Sequence, residues 1–244
     1  MGVIFGDSFG FVLDQEQVNF YNQNGYLVVE GVFSKEECAA MLREFEQHAD
    51  ADFSAILNLD RRVPAIRNIM RKGRIVEILE QLQKREVVGL MSQVLFKKAA
   101  SKYAPQAWNP HQDNAYPQAA AGAYITINIF LEDADRENGF MYIYPGSHKE
   151  GLLRFKPTVS YREAQGTNPG NTVEVPECYT KQDLVVKKGD MLVLHGDVIH
   201  GSYPNLSPTR SRPLFSISYI SKGELFIPGR NANRMEIPLR PLVD

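Results

Sequence analysis

Cysteine, tryptophan and histidine are scarce in this chain: two, one and five among 244 residues. Two cysteines as far apart as Cys38 and Cys178 make no disulfide framework. A chain of this length buries an adequate core without one. The expectation is a reduced, cytoplasmic protein. Residues 1–14 contain no Lys or Arg, so the charged start of a secretory signal is missing. Gly6 stands where a myristoylation pattern needs Ser or Thr. No apolar run approaches the length of a membrane span. With 27 basic and 29 acidic residues the net charge is −2, which supplies no positive excess for nucleic acid or an anionic membrane surface. Repeats and low-complexity tracts are also missing. What remains is an ordinary globular composition, 43% hydrophobic and 23% charged, at the size of one large domain spanning residues 1–244.

The pattern along the chain changes once. Residues 1–13 have no period and read as a loosely held arm. Residues 14–24 predict a short helix carrying Val18, Phe20 and Tyr21, ended by Gly25. A strand from Tyr26 to Val32 follows. Ser34 with Glu37 three residues on is a capping box, opening a helix to about His48 with Cys38, Met41, Leu42 and Phe45 on one face. Residues 51–63 read as irregular. Pro64 opens a second helical region to about Arg85, interrupted at Gly73. From Val87 onward the texture is that of strands and turns. Residues 124–131 alternate: Ile125, Ile127, Ile129 and Leu131 on one face, Tyr124, Thr126, Asn128 and Phe130 on the other. An aliphatic face opposite a polar and aromatic one suits a barrel wall with packing outside and a cavity inside. Residues 151–178 hold several Pro and Gly and no period, the mark of a long insertion acting as a lid or binding loop. Helices first and strands later predict an α+β fold. Residues 14–86 form a mainly helical support packed on the outer face of a jelly-roll or cupin-like β-barrel core, residues 87–244.

With so few histidines, each can be weighed. His111, Gln112 and Asp113 sit together, and on an extended strand residues two apart point the same way, so His111 and Asp113 can grip one metal ion. A second histidine near a strand end would complete a two-His-one-carboxylate facial triad, with open positions for a bidentate cosubstrate and dioxygen. His200 and His195 both lie at the end of the 191–200 segment and compete for that place. His148 follows Pro145, Gly146 and Ser147 and reads as a turn residue. His48 reads as a helix-end residue. A dicarboxylate cosubstrate needs a planar bidentate cation, and Arg210 and Arg212 both stand just before the last strand, residues 213–220. Gln112, between the ligands, points away and reads as structural. Arg61 and Arg62 read as solvated surface charge.

These residues resemble the phytanoyl-CoA dioxygenase family of non-haem Fe(II)/2-oxoglutarate oxygenases. The likeness runs through the segment from Asn24 to Ser34, the His111-Gln112-Asp113 triplet, the turns Glu137-Asn138-Gly139 and Pro145-Gly146-Ser147-His148, and Lys188-Gly189-Asp190. It ends in His200-Gly201-Ser202, Asn205 and Arg212. It implies a double-stranded β-helix with Fe(II) held by His111, Asp113 and His200, which leaves His195 as a wall residue. It implies 2-oxoglutarate on the iron, its distal carboxylate on Arg212, with Arg210 as the alternative anchor, and a hydrogen bond from Ser202. Asn128 falls where some relatives place a Trp beside 2-oxoglutarate, and Lys97 or Lys98 where the family often has a site lysine. Related halogenases have a small residue at the position of Asp113, so a carboxylate there favours hydroxylation or another oxidation over halogenation. The expected activity is hydroxylation of an unactivated C–H bond of a small or medium organic metabolite, using O2 and releasing succinate and CO2. Tyr116, Tyr124, Thr126, Ser216 and Ser218 are expected to line its cavity with Asn128. Two rival classes share the barrel: a non-catalytic cupin-like binding protein, and an Fe(II) oxidase that does not use 2-oxoglutarate. The complete ligand set argues against the first and Arg212 against the second.

Overall fold

A computed structural model describes residues 12–49, 55–101, 103–158, 170–230 and 232–240. Most of the expected N-terminal arm, and residues 159–169 of the expected insertion, lie outside the described residues. The first helix, α1 (Gln15–Asn24), starts at a reciprocal cap. Asp14 accepts from the Gln17 amide and the Gln17 side chain accepts from the Asp14 amide. Gly25 ends it at φ 78°, a left-handed conformation that costs glycine little. The chain then enters β1 (Tyr26–Val29). The Ser34 and Glu37 box opens α2 (Lys35–Glu46) as expected, burying Cys38, Met41 and Phe45.

Of the expected irregular stretch 51–63, the described residues 55–63 are more ordered than expected: β2 (Ala55–Leu57) pairs with the long strand β3 (Val87–Leu95), and a 3-10 turn covers Leu59–Arg61. Three residues are too few to show a period, and only the neighbouring strand makes them extended. The second helical region is two helices, α3 (Pro64–Met70) and α4 (Gly73–Gln83), separated at Arg71 and Lys72. Arg74 and Lys72 both reach Glu37, at 2.6 and 3.4 Å, and tie α4 to α2.

The remaining strands are β4 (Trp108–His111), β5 (Tyr124–Phe130), β6 (Met141–Ile143), β7 (Phe155–Thr158), β8 (Gly170–Val173), β9 (Gln182–Leu184), β10 (Met191–His195), β11 (His200–Ser202) and β12 (Leu214–Ser221). A six-stranded sheet runs β1-β10-β5-β12-β3-β2 and a four-stranded sheet runs β4-β11-β6-β9, with every pairing antiparallel. These are the two walls of a double-stranded β-helix core. The β7–β8 pair is a structured part of the 151–178 stretch, which sequence periodicity did not reveal. It reaches the site through a Thr172 hydroxyl donated to the Pro110 carbonyl, at 3.0 Å.

Alternation decides what each face of the large sheet does. Ile125, Ile127 and Ile129 from β5, with Phe215, Ile217 and Tyr219 from β12, join Met41, Phe45, Ile78 and Leu79 of the helices in one buried cluster. Each such aliphatic side chain contributes about 1.5–3 kcal/mol when fully buried. The helices therefore hold this wall from outside, and its inner face is free to be polar. There the register sets Ser216 beside Asn128 and Ser218 beside Thr126. Both cysteines are free, Cys38 buried and Cys178 exposed. Among the described residues no helix is long and apolar enough to cross a membrane.

Candidate metal centre and cosubstrate pocket

β4 and β11 are antiparallel neighbours, and their register sets His111 opposite His200. Asp113 is not on the strand, as alternation alone had suggested. β4 stops at His111 and Asp113 opens a 3-10 turn, Asp113–Ala115. Asn114 pulls the chain out of the sheet: its amide donates to the Gly196 carbonyl (2.8 Å) and its side chain donates to Asp197 Oδ1 (2.8 Å). Gln112 is still extended, at φ −116° and ψ 129°, so His111 and Asp113 keep the same side. Gln112 faces away and is fully buried. Its amide donates to the carbonyls of Gly151 and Asp197, both at 2.7 Å, and its oxygen accepts from the Leu153 amide at 2.8 Å. It joins three loops.

His111 Nε2 and His200 Nε2 lie 3.6 and 3.7 Å from Asp113 Oδ1. One ligand atom from each of the three residues falls within 4.8 Å of the others, the spacing of a facial triad. The tautomers follow from the main chain. His111 Nδ1 faces the Asn109 carbonyl at 2.7 Å and His200 Nδ1 faces the Val198 carbonyl at 3.1 Å. A carbonyl only accepts, so each Nδ1 carries the proton and each Nε2 lone pair is left for a metal. Burial, and then the neighbouring His200, lower the His111 pKa to about 4, against the pull of Asp113. His111 is therefore neutral at pH 7, the form that binds metal.

The triad opens into a cavity of about 390 Å³. Tyr116, Tyr124, Thr126, Asn128, Ser216 and Ser218 line it, as expected, but Phe130, placed on the same face of β5 by alternation, does not. Arg212 lies in the same cavity, only 2% exposed. Its Nε donates to the Gly139 carbonyl at 3.1 Å, and its Nη1 is buried with no partner. Burial lowers its pKa only to about 10, so it stays charged at pH 7. Ser202 is also in the wall and accepts from Lys97 Nζ at 3.0 Å, while Lys97 donates as well to the Tyr203 carbonyl. Burial first, then Arg212, push Lys97 down to about 6, so it is a neutral amine at pH 7. Lys98, the other lysine considered, is exposed.

Arg210 is placed outside the cavity. Its Nη1 pairs with Asp135 (2.8 Å) and Glu137 (3.0 Å) on the surface. Arg212, two residues on and buried, lies two residues before β12, where the chain enters the wall. His195 ends β10 outside the triad; its Nδ1 accepts the Asp197 amide at 3.1 Å and its ring packs on Tyr21 and His148. His148 stays in its turn against the Asn22 carbonyl (3.2 Å), and His48 lies beside Glu44 (3.4 Å). Arg61 is not simply solvated, as had been expected: it donates to the Asn233 carbonyl of the C-terminal segment. Trp108, Arg230 and Arg234 also line the cavity and were not singled out from the sequence. Charge was the only signal of the two arginines, in a tail with no period, while Trp108 opens β4 three residues before His111.

Comparison with known proteins places this geometry. The phytanoyl-CoA dioxygenase family model matches residues 21–214. The chain belongs to that family. Among curated relatives, phytanoyl-CoA dioxygenase 1 of Oryza sativa subsp. japonica is 27% identical over 95% of this chain and 98% of its own length. Ectoine dioxygenase of Bordetella bronchiseptica is 23% identical over 88% of this chain and 78% of its own. Among solved structures, EvdO2 from Micromonospora carbonacea var. aurantiaca, complexed with 2-oxoglutarate, superposes with a TM-score of 0.73, 15% identity and coverage of 91% and 96% of the two chains. At that identity the likeness shows the fold, a double-stranded β-helix shared with an enzyme that holds 2-oxoglutarate.

Proposed function

We propose that this family member is a cytoplasmic Fe(II)/2-oxoglutarate-dependent hydroxylase of a small or medium organic molecule, with iron on His111, Asp113 and His200. The observation that carries it is the buried, unpartnered Nη1 of Arg212 in the same cavity as the triad. An orphaned guanidinium donor is costly unless something anionic arrives, and a planar dicarboxylate end fits it. Two imidazoles and one carboxylate fit Fe(II) and leave positions open. An Fe(II) oxidase without 2-oxoglutarate, or a cupin-like binding protein, gives Arg212 nothing to do.

With iron, 2-oxoglutarate and O2 bound, the chemistry supplied is oxidative: one oxygen atom enters the substrate C–H bond as hydroxyl, and 2-oxoglutarate leaves as succinate and CO2. The chain's own part is positioning. Backbone carbonyls of Asn109 and Val198 aim the two imidazoles. Arg212 takes the distal carboxylate, with the Ser202 hydroxyl beside it and the neutral Lys97 amine donating to that hydroxyl. Asp113 fills the third ligand place, which argues for hydroxylation or another oxidation over halogenation. Tyr124, Thr126 and Asn128 on one strand, with Ser216 and Ser218 on the next, offer a polar wall to the substrate. Tyr116 continues the Asp113 turn into the same cavity, and the β7–β8 pair closes over that side, the Asn171 amide donating to its hydroxyl at 3.1 Å.

The test is anaerobic addition of Fe(II) and 2-oxoglutarate, read as the weak visible charge-transfer band. The wild type is expected to give the band, and Asp113→Ala and Arg212→Ala to lose it at the same concentrations. A wild type without the band refutes the reading; a band insensitive to Arg212→Ala removes Arg212 as the anchor.

A further inference from the structure

Arg234 is a second buried arginine of the cavity, and nothing so far gives it work. It is 7% exposed, lines the same space as the triad, and has a buried Nε with no hydrogen-bond partner. Its one side-chain hydrogen bond among the described residues runs from Nη1 to the Pro228 carbonyl at 3.4 Å, a weak contact. No carboxylate pairs with it among the described residues. Asp113, the one described acid in the cavity wall, is committed to the metal.

The side chain is held in place. The Arg234 amide donates to the Pro228 carbonyl (2.8 Å), and Gly89 and Ile237 exchange backbone hydrogen bonds at 3.0 and 2.8 Å. The Asn58 side chain donates to the Ala232 carbonyl at 2.8 Å and Arg61 donates to that of Asn233. The C-terminal segment is thus strapped to β3 and to the 58–61 turn. Its guanidinium carbon lies 5.8 Å from the centre of the Tyr116 ring, on the turn that Asp113 opens.

We propose that Arg234 binds a carboxylate of the substrate, so that the molecule facing the triad is an organic monoanion. This rests on the oxygenase reading above. Charge supplies the argument for class. Fe(II), the Asp113 carboxylate, the 2-oxoglutarate dianion and the Arg212 guanidinium together sum to zero. Arg234 then leaves one positive charge inside a low-dielectric cavity, where an unpaired ion is strongly disfavoured. A monoanion cancels it; a phosphate dianion overshoots. With Nη1 turned to Pro228, the edge formed by Nε and Nη2 has no hydrogen bond among the described residues, and such an edge matches a carboxylate in a two-point fork. Arg230, exposed at the rim, adds attraction for an incoming anion.

The experiment uses matched probes, hexanoate against hexanamide and benzoate against benzamide. Binding to the Zn(II)-loaded enzyme with saturating 2-oxoglutarate is read by ligand-observed NMR. For the wild type, at least one carboxylate is expected to bind about tenfold or more tightly than its amide, the scale of a charged hydrogen-bonded pair. Arg234→Gln is expected to erase the preference, Arg234→Lys to restore part of it, and 2-oxoglutarate affinity to stay within about twofold in both, since Arg212 is intact. Circular dichroism checks that each variant is folded. Equal binding of acid and amide by the wild type, no binding of either carboxylate, or an unchanged preference in Arg234→Gln overturns the proposal. The Fe(II)·2-oxoglutarate band is recorded on the same proteins. A missing band in the wild type refutes the oxygenase reading, while a normal band with an unchanged acid preference in Arg234→Gln refutes only the role of Arg234.

Discussion

Replacing Arg212 with Met should stabilise the ligand-free protein and abolish its response to 2-oxoglutarate. Met nearly matches the length of the arginine stem and carries no charge. Burial lowers the Arg212 pKa from 12.5 to about 10. At about 1.4 kcal/mol per pKa unit, the charged form costs roughly 3 kcal/mol relative to water. The substitution removes that cost. It also deletes the Nε bond to the Gly139 carbonyl, leaving an acceptor unpaired for a loss of about 1 kcal/mol. The net is a gain of about 2 kcal/mol, or about 4–8 °C in Tm for a chain of this size. Saturating 2-oxoglutarate should do the opposite: at a hundredfold excess over Kd it stabilises the metal-loaded wild type by about 2.7 kcal/mol and the variant by almost nothing. Thermal unfolding of the metal-loaded proteins, with and without 2-oxoglutarate, should therefore show the two crossing, the variant melting higher without ligand and lower with it. A variant that melts below the wild type without ligand would show that the guanidinium holds the fold together. A variant that keeps the ligand-induced shift would show that the dicarboxylate binds elsewhere.

Lys97 and Gln112 give two further tests. Lys97 has a pKa of about 6 when folded and 10.5 in the reference state, so between those values the unfolded chain binds a proton that the folded chain does not. Stability therefore falls as pH is lowered through that window, by up to about 1.4 kcal/mol per unit, and levels off below pH 6. From pH 7 to pH 9 the wild type should gain about 2–3 kcal/mol more than Lys97→Met in urea unfolding; parallel profiles would mean that Lys97 is charged in the folded protein. Gln112→Leu leaves two carbonyls and one amide unpaired in a buried place, so it should lose about 2–4 kcal/mol by denaturant unfolding and weaken Fe(II) binding about tenfold or more. A loss under about 1 kcal/mol would show that water replaces it without cost.

Much of this was legible before any coordinates. The aliphatic and polar faces of residues 124–131 follow from a period of two, which found Tyr124, Thr126 and Asn128 in the cavity wall; Phe130, expected on the same face, is instead buried in an apolar cluster. His111 and His200 were marked by scarcity and by strand ends. The unread parts depend on neighbours. β2 is extended because β3 lies beside it. Asp113 leaves the strand because Asn114 bonds to the loop that links β10 and β11. Lys97 differs from Lys98, and Arg212 from Arg210, by which way each points from the loops that leave β3 and enter β12, the first of each pair buried and the second not. Arg234 reaches the cavity only because residues 58–61 and β3 hold a distant tail across it.

One feature of the metal centre bears on how such a site survives divergence. Both histidines are aimed by the main chain, His111 by the carbonyl two residues before it and His200 by the carbonyl two residues before it. A partner supplied by a side chain can be lost by substitution; a peptide carbonyl is present whatever residue carries it. The aim of the two imidazoles in this candidate centre thus demands the right strand register and no particular side chain at positions 109 and 198. The walls around it can be rewritten for a new substrate without disturbing the aim of either imidazole.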